Sequence, residues 1–490
     1  MINKIRTCFN HGVLVLFLLS FPCVVNAADR PNILFIFIDD MGPMALSCYG
    51  NEDVETPAID SLASAGLRFT QAYACSQCSP TRAAFFTGQY GPRNGMTKVV
   101  NSRFWPKAPM LTPTTSKAIS PDVSNIVKVL RKAGYTTGMS GKWHIGGPYD
   151  SRGMSAREGY AKSYGFDFCG TMGAKPRSPL AVEEITDDAI TFIHENKTKP
   201  WFFYASHKTT HTPLVAPVEL VEKHVSRGYE KTNSRWGDLD QRPTADYLAM
   251  LEHLDNNVGR LLSTLDELGL ADNTLVLLMG DNGTLDRVAS SSPLRGGKGM
   301  AYEAGIRVPL LMRWPKLIEP GTTNGSLTHI IDLYPTFVSL AQASPPADHH
   351  LDGITLVPAM KGGSLDRNTL YWHMPHYVPM YARTPCSVIR QGDWKLIHYY
   401  GDTFDTTGFT PVNRKPAGRL VLGAQTELYN LAKDPGETTD LAATNPDKRD
   451  ELFTDLQAWL HATSAKLPIP NPDRSADPSK WLTEAASRQR

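Results

Sequence analysis

The sequence predicts an α/β fold: a large, mostly parallel sheet sandwiched by helices, with a smaller C-terminal α+β domain containing an antiparallel sheet. Three features predict it. Short apolar runs rich in β-branched and aromatic residues recur along the first two-thirds of the chain, helical patterns lie between them, and polar residues gather where the runs end. Strands buried on both faces read as unbroken apolar runs, and strands that alternate with helices pair in parallel.

The run Asn32-Ile33-Leu34-Phe35-Ile36-Phe37-Ile38 predicts the first strand, and Asp39-Asp40 follows it. A helix is expected over 124–133 and a strand over 135–140, followed by Lys142 and His144. A helix over 187–194 and a strand over 201–205 precede His207 and His211. A long helix over 245–268, apolar at helical spacing, leads to a strand over 274–279 and then Asp281-Asn282, and 308–312 reads as a further strand. In such sheets ligands collect at the carboxyl ends of the strands, so these polar residues are candidates for one site. Beyond about residue 365 the texture changes to short strand-like runs at 371–377, 387–390, 394–397 and 427–431, with one helix over 449–463. The expected organisation is a main domain over 28–365, an antiparallel α+β subdomain over 366–466, and a Pro-, Asp- and Ser-rich tail over 467–490, packed or loose.

Lys4 and Arg6, an apolar run from Val13 to Val25, and Val25-Asn26-Ala27 have the layout of a secretory signal peptide over 1–27. The chain is therefore expected to be exported, to a periplasm or to the outside. An uncleaved anchor is the minor alternative, because Pro22 interrupts a run already short for a span, and the mature chain is expected to hold no integral membrane segment. With Lys+Arg 50 against Asp+Glu 49, nothing calls for a nucleic-acid partner, and any anion must be bound locally. Cys48, Cys75, Cys78, Cys169 and Cys386 remain beyond the leader, with pairing left open.

Cys78-Ser79-Pro80-Thr81-Arg82 precedes Ala83-Ala84-Phe85-Phe86-Thr87-Gly88, which reads as a helix closed by glycine. A residue at such a helix start faces unpaired N–H groups that favour negative charge. The plainer alternatives for Cys78 are a buried thiol or half of a disulfide with Cys75. Asp39, Asp40, Asp281 and Asn282 supply three carboxylates and an amide oxygen, a hard set suited to Ca²⁺ or Mg²⁺, although either pair alone reads as a turn or a cap. Gly141-Lys142-Trp143-His144, the stretch Ser206 to Pro213, and Leu294 to Pro309 with its Gly-Gly-Lys-Gly core complete the polar motifs.

In order from Asn32 to Pro309, these stretches resemble the formylglycine-dependent (type I) sulfatases, arylsulfatase-like members of the alkaline-phosphatase-like superfamily: CxPxR at Cys78, GKWH at Gly141, and GGKGxxYExGIRVP at Gly296. The resemblance implies that a formylglycine-generating maturation enzyme oxidises Cys78 to an aldehyde whose hydrate attacks a sulfate ester. It implies Ca²⁺, with Mg²⁺ as the alternative, held by Asp39, Asp40, Asp281, Asn282 and the converted Cys78. Arg82 and Lys142 would stabilise the aldehyde-derived oxygens, His144 would accept a proton, and Lys298 would grip the sulfate and leaving-group oxygens. His211, the histidine before x-Pro, would protonate the leaving oxygen, with His207 as the competing candidate. The family departures are Thr81 where serine is common and a slightly long His207-to-His211 spacing. The expected substrate is a sulfated carbohydrate or an aryl sulfate. His373 and His376, flanked by Trp372 and Tyr377, are candidates for a sugar subsite or for packing between the domains. A phosphonate or phosphate ester hydrolase of the same superfamily, and a noncatalytic binder of sulfated glycans, are the alternative readings.

Overall fold

The structure is a computed structural model that describes residues 30–100, 105–147, 159–171, 181–232, 243–286, 288–405 and 419–475; the expected signal peptide and the end of the tail lie outside them. Eight strands form the main sheet: β1 (Asn32–Ile38), β2 (Leu67–Phe69), β3 (Thr136–Gly141), β4 (Phe168–Cys169), β5 (Trp201–His207), β6 (Thr274–Gly280), β7 (Leu310–Arg313) and β8 (Thr322–Asn324). Their order is β8-β2-β7-β6-β1-β5-β3-β4. All neighbours are parallel except β7, which runs against both β2 and β6. The reason lies in its connection. The chain leaving β6 stays at the same sheet edge, where Gly280 N donates to Pro309 O at 3.3 Å, and among the described residues no crossover helix carries it back before β7 begins.

β1 is the central strand, and its alternating side chains explain the two-sided core. Ile33, Phe35 and Phe37 join one apolar cluster, while Leu34, Ile36 and Ile38 join the other. The first cluster is covered by α2 (Cys78–Thr87), α3 (Ile126–Lys132) and α6 (Leu333–Leu340), the second by α1 (Pro57–Ser64), α4 (Ala181–Asn196) and α5 (Ala245–Glu267). Helix α3 starts later than the periodicity suggests because Asn125 caps it, its side chain accepting from Lys128 N. Helix α2 starts earlier, at Cys78. Pro80 is tolerated there because first-turn N–H groups have no helical partner, and Gly88 closes the helix in the left-handed region.

The second domain is a four-stranded antiparallel sheet of β9 (Thr369–Met374), β10 (Cys386–Gln391), β11 (Trp394–Tyr399) and β12 (Gln425–Asn430), in that order. Helix α7 (Pro446–Ala462) lays Leu452, Leu456 and Leu460 against Ile389, Leu396 and Leu428. The described part of the tail is packed: Asn471 Nδ2 donates to Pro106 O at 3.0 Å and Ala108 O at 2.7 Å. All five described cysteines are free, so the Cys75–Cys78 disulfide considered from sequence is not formed. Among the described residues no helix is long and apolar enough to cross a membrane.

Helix α2 is held to the sheet by aromatic packing. Phe85 lies 5.0 Å from Phe35 and 5.6 Å, stacked, from Tyr204, and it is fully buried. Replacing Phe85 by Ala leaves a cavity under that helix and is expected to lower stability by about 3–5 kcal/mol. A denaturation midpoint unchanged from wild type would show that the contact does not secure α2.

Candidate active site

The carboxyl ends of β1, β3, β5 and β6 lie side by side: Ile38 pairs with both His207 and Gly280, and Gly141 with Ser206. The residues that follow each strand therefore enter one space. Gly141 makes the turn out of β3 possible, since its φ of 101° lies in the left-handed region and a Cβ there would collide with Ser206 O.

Arg82 occupies the centre. Four residues after Cys78 on α2, it shares that residue's helix face and is fully buried. Its Nη2 and Nε donate to Asp281 Oδ2 at 2.8 and 3.1 Å. Nη1 donates to Lys142 O at 3.0 Å, Tyr204 Oη at 3.0 Å and Ser206 Oγ at 2.6 Å. Lys142 Nζ reaches Asp39 Oδ2 at 2.5 Å, and Lys298 Nζ lies 2.6 Å from Asp40 Oδ1 and 2.7 Å from Oδ2. Asn282 Nδ2 donates to Asp40 Oδ1 at 2.9 Å. Three buried carboxylates thus face three buried cations.

Charge proximity shifts the titration of these groups. Burial alone would raise Asp39, but Lys142, His211, Lys298 and Arg82 together hold it well below the carboxylate range. Asp281 moves the other way, raised by burial and by the like charge of Asp39. Lys298 is raised well above an ordinary ammonium because Asp40 and Cys78 outweigh its burial. Burial pushes the Cys78 thiol up to about 11. His144 is lowered by burial and then by Lys142, and His211 by burial and then by Lys298, so both are neutral imidazoles at neutral pH. His211 donates Nδ1–H to Thr212 O at 2.5 Å, which leaves Nε2 as the working nitrogen, 3.8 Å from Asp40 Oδ2, on a side chain 35% exposed.

The donors fit a metal ion. One ligand atom each from Asp39, Cys78 and Asp281 lies within 4.8 Å of the others, all three residues being buried. Asp39 Oδ1 and Asn282 Oδ1 are buried without a hydrogen-bond donor. Orphan oxygens of that kind are costly unless a cation or donor meets them, and here they point to the same cluster.

Asp39, Asp40, Cys78, Arg82, Lys142, His144, His211, Asp281, Asn282 and Lys298 therefore converge. His207 does not. It is buried, neither ring nitrogen has a partner, and apart from burial only His253 acts on it, lowering it to about 3. His373 and His376 are also elsewhere: His373 bridges Ser387 Oγ at 2.7 Å and Lys466 O at 3.1 Å, and His376 Nε2 meets Thr97 Oγ1 at 2.8 Å. Both are buried; His376 meets the main domain through Thr97, while the partners of His373 lie within the second domain, and neither is among the ten converging residues. Sequence reasoning missed Tyr204 and Ser206. Their spacing of two on β5, facing the same side as the strand-end chemistry, is the signal that could have found them.

Fold and cluster together define a hydrolase of the alkaline-phosphatase-like superfamily, shaped for a tetrahedral oxyanion ester. A family model described as Sulfatase matches residues 31–343, and one described as N-sulphoglucosamine sulphohydrolase, C-terminal, matches 297–416. Arylsulfatase A of Homo sapiens is 31% identical over 86% of this chain and 86% of its own. The N-acetylgalactosamine-6-sulfatase of Canis lupus familiaris is 28% identical over 87% of this chain and 84% of its own. The crystal structure of Ps i-CgsB, also solved in complex with k-i-k-neocarrahexaose, superposes with a TM-score of 0.68 at 26% identity, covering 94% of this chain and 98% of that one. The chain belongs to the sulfatase family, and its reaction class is sulfuric ester hydrolysis.

Calcium or magnesium added to metal-free protein is expected to raise the melting temperature, and Asp281→Asn to remove most of that rise. An equal rise in the variant would take Asp281 out of the metal site.

Proposed function

We propose that the protein is an exported enzyme that hydrolyses sulfate monoesters of a carbohydrate, using a formylglycine made from Cys78 and a calcium ion. The observation that carries this reading is the mismatch at Cys78. Its thiol is protonated at neutral pH and so a poor nucleophile, and its sulfur is the one soft donor among hard oxygens. An aldehyde-derived oxygen at the same position suits both roles. Lys4, Arg6 and the apolar run after them support export. The N-acetylgalactosamine-6-sulfatase relative and the oligosaccharide complex of Ps i-CgsB support a carbohydrate substrate.

Calcium, held by Asp39, Asp40, Asp281, Asn282 and the converted Cys78, would supply a Lewis acid for a sulfate oxygen. The hydrated formylglycine would supply the hydroxyl that attacks sulfur. The remaining work falls to side chains already in place. Lys142 and Lys298 stand in the cluster as ammonium groups paired with Asp39 and Asp40, so they would favour the charge that builds on non-bridging oxygens, and Arg82 fixes the helix that presents position 78. His144, neutral at neutral pH, is ready to accept a proton. His211 would act on the departing sugar oxygen, a group too basic to leave unaided, in its protonated form: Nε2 must first take up a proton, a state that Asp40, 3.8 Å away, favours, and can then pass it on.

Mass spectrometry of the peptide Phe69–Arg82, from protein made beside a maturation enzyme, is expected to show an aldehyde in place of the Cys78 thiol. Turnover of sulfated sugars is expected to exceed that of aryl phosphonates and to vanish in Cys78→Ala. An intact thiol in active protein, or preference for the phosphonate, would overturn the reading.

His211→Gln should lower kcat about 10²–10⁴-fold on a sugar sulfate and far less on 4-nitrophenyl sulfate, whose phenolate leaves readily. Equal losses on the two substrates would remove His211 as the acid.

A further inference from the structure

The second domain contributes a buried cation that the chemistry above does not use. Val378 and Arg383 pair across a tight turn that reaches back to the start of α2. Arg383 is 3% exposed. Its Nη1 donates to Ser76 Oγ at 2.7 Å and approaches Met374 Sδ at 3.5 Å, and its Nη2 donates to Gln77 Oε1 at 3.1 Å. Nε has no partner. All of these acceptors are neutral, and among the described residues no carboxylate acts on the guanidinium. The groups that favour its charge are Cys386, Tyr381 and Cys75.

Among the described residues the surroundings add the Lys98 ammonium and two neutral imidazoles but no acid. His376 is 2% exposed and leaves Nδ1 unpartnered; apart from burial, the groups acting on it are Lys98, Arg383 and His373. Lys98 is half-buried, and burial alone lowers its ammonium. Burial also drives Arg383 down to about 10 and, with Lys98, His376 down to about 2. Arg383 thus stays charged at neutral pH while bonded only to neutral atoms, a state that retains most of its desolvation cost.

A cavity of about 20 Å³ lies against this group, lined by Arg383, Ser76, Gln77, Thr97, His373 and Cys75 among others. That space has room for a water molecule or a small ion beside the guanidinium. Water would fill the space but leave the charge unbalanced. We infer that the cavity is a binding site for a small monovalent inorganic anion of halide size, held by Arg383 beside the two residues that precede Cys78. The bound ion would offset the guanidinium and stiffen the approach to α2. This inference does not depend on the reaction assigned to the site.

The test uses the intact protein in chloride-free gluconate buffer, titrated with chloride or bromide at constant ionic strength. The melting temperature is expected to rise by roughly 2 °C or more with either halide and not with gluconate. Crystals soaked in bromide are expected to show an anomalous peak within hydrogen-bond reach of Arg383, and Arg383→Met is expected to lose the halide response. A cavity holding only water in bromide-soaked crystals would overturn the inference, as would a halide response unchanged in the variant. Should Arg383→Met fail to fold, the bromide map of the wild-type protein decides alone.

Discussion

One guanidinium ties the active site to the sheet. Arg82 meets the ends of all four strands that frame the cluster: its charge lies 5.0 Å over the Phe37 ring of β1, and its N–H groups take Lys142 O after β3, Tyr204 and Ser206 on β5, and Asp281 after β6. A fully buried arginine is tolerable only if its donors are matched and its charge is balanced, and here both conditions hold. Because Arg82 sits one helical turn beyond Cys78, fixing the guanidinium fixes the first turn of α2. Position 78 is therefore oriented by groups from four strands, although none of them is its neighbour in sequence.

The same economy governs the charges around it. The lysines that would serve an anionic substrate are held by Asp39 and Asp40, so their long side chains lose little further freedom when they act. The carboxylates in turn are buried and crowded enough that Asp281 is raised by burial and then by Asp39, which leaves the cluster favouring additional positive charge. Stability and catalytic readiness pull in the same direction here, because each buried charge is both a structural partner and a reactive group.

Much of this was legible in the sequence because the chemistry falls at strand ends. Continuous apolar runs such as Asn32–Ile38 can only be strands buried on both faces, and once the strands are parallel their C-terminal neighbours must meet. Seven of the ten converging positions, Asp39, Asp40, Lys142, His144, His211, Asp281 and Asn282, were placed in this way, while Cys78, Arg82 and Lys298 were read from their motifs. What could not be read depends on direction and not on pattern. The reversal of β7 comes from a connection that never crosses the sheet, and the choice of His211 over His207 comes from which side of the β5 end each ring leaves. The His373 and His376 pair stayed open in the sequence because aromatic neighbours mark an interdomain seam as readily as a sugar site; in the structure His376 meets Thr97 across that seam, while His373 is bonded to Ser387 and Lys466 within the second domain.

That seam also builds the site. Lys298 sits in a glycine-rich loop whose Met300, Ala301 and Tyr302 are buried in an apolar cluster shared with the second domain, and that domain adds polar contacts. Arg295 donates to Glu437 O at 2.8 Å and Tyr429 Oη at 3.1 Å, while Glu303 N donates to Glu437 Oε2 at 2.6 Å. Lys395, fully buried, lies 3.1 Å from Glu303 Oε1 and 2.8 Å from Glu437 Oε1. Gly299 N then donates to Ser76 O at 2.8 Å and joins this loop to the start of α2. A Cβ at Gly299 would strike the Tyr381 ring, so the loop and the second domain are in contact at the residue next to the lysine. The antiparallel sheet therefore supports the active site: its buried Lys395 network helps to hold the loop that carries Lys298, whose ammonium is already paired with Asp40 and need not be ordered anew in every turnover.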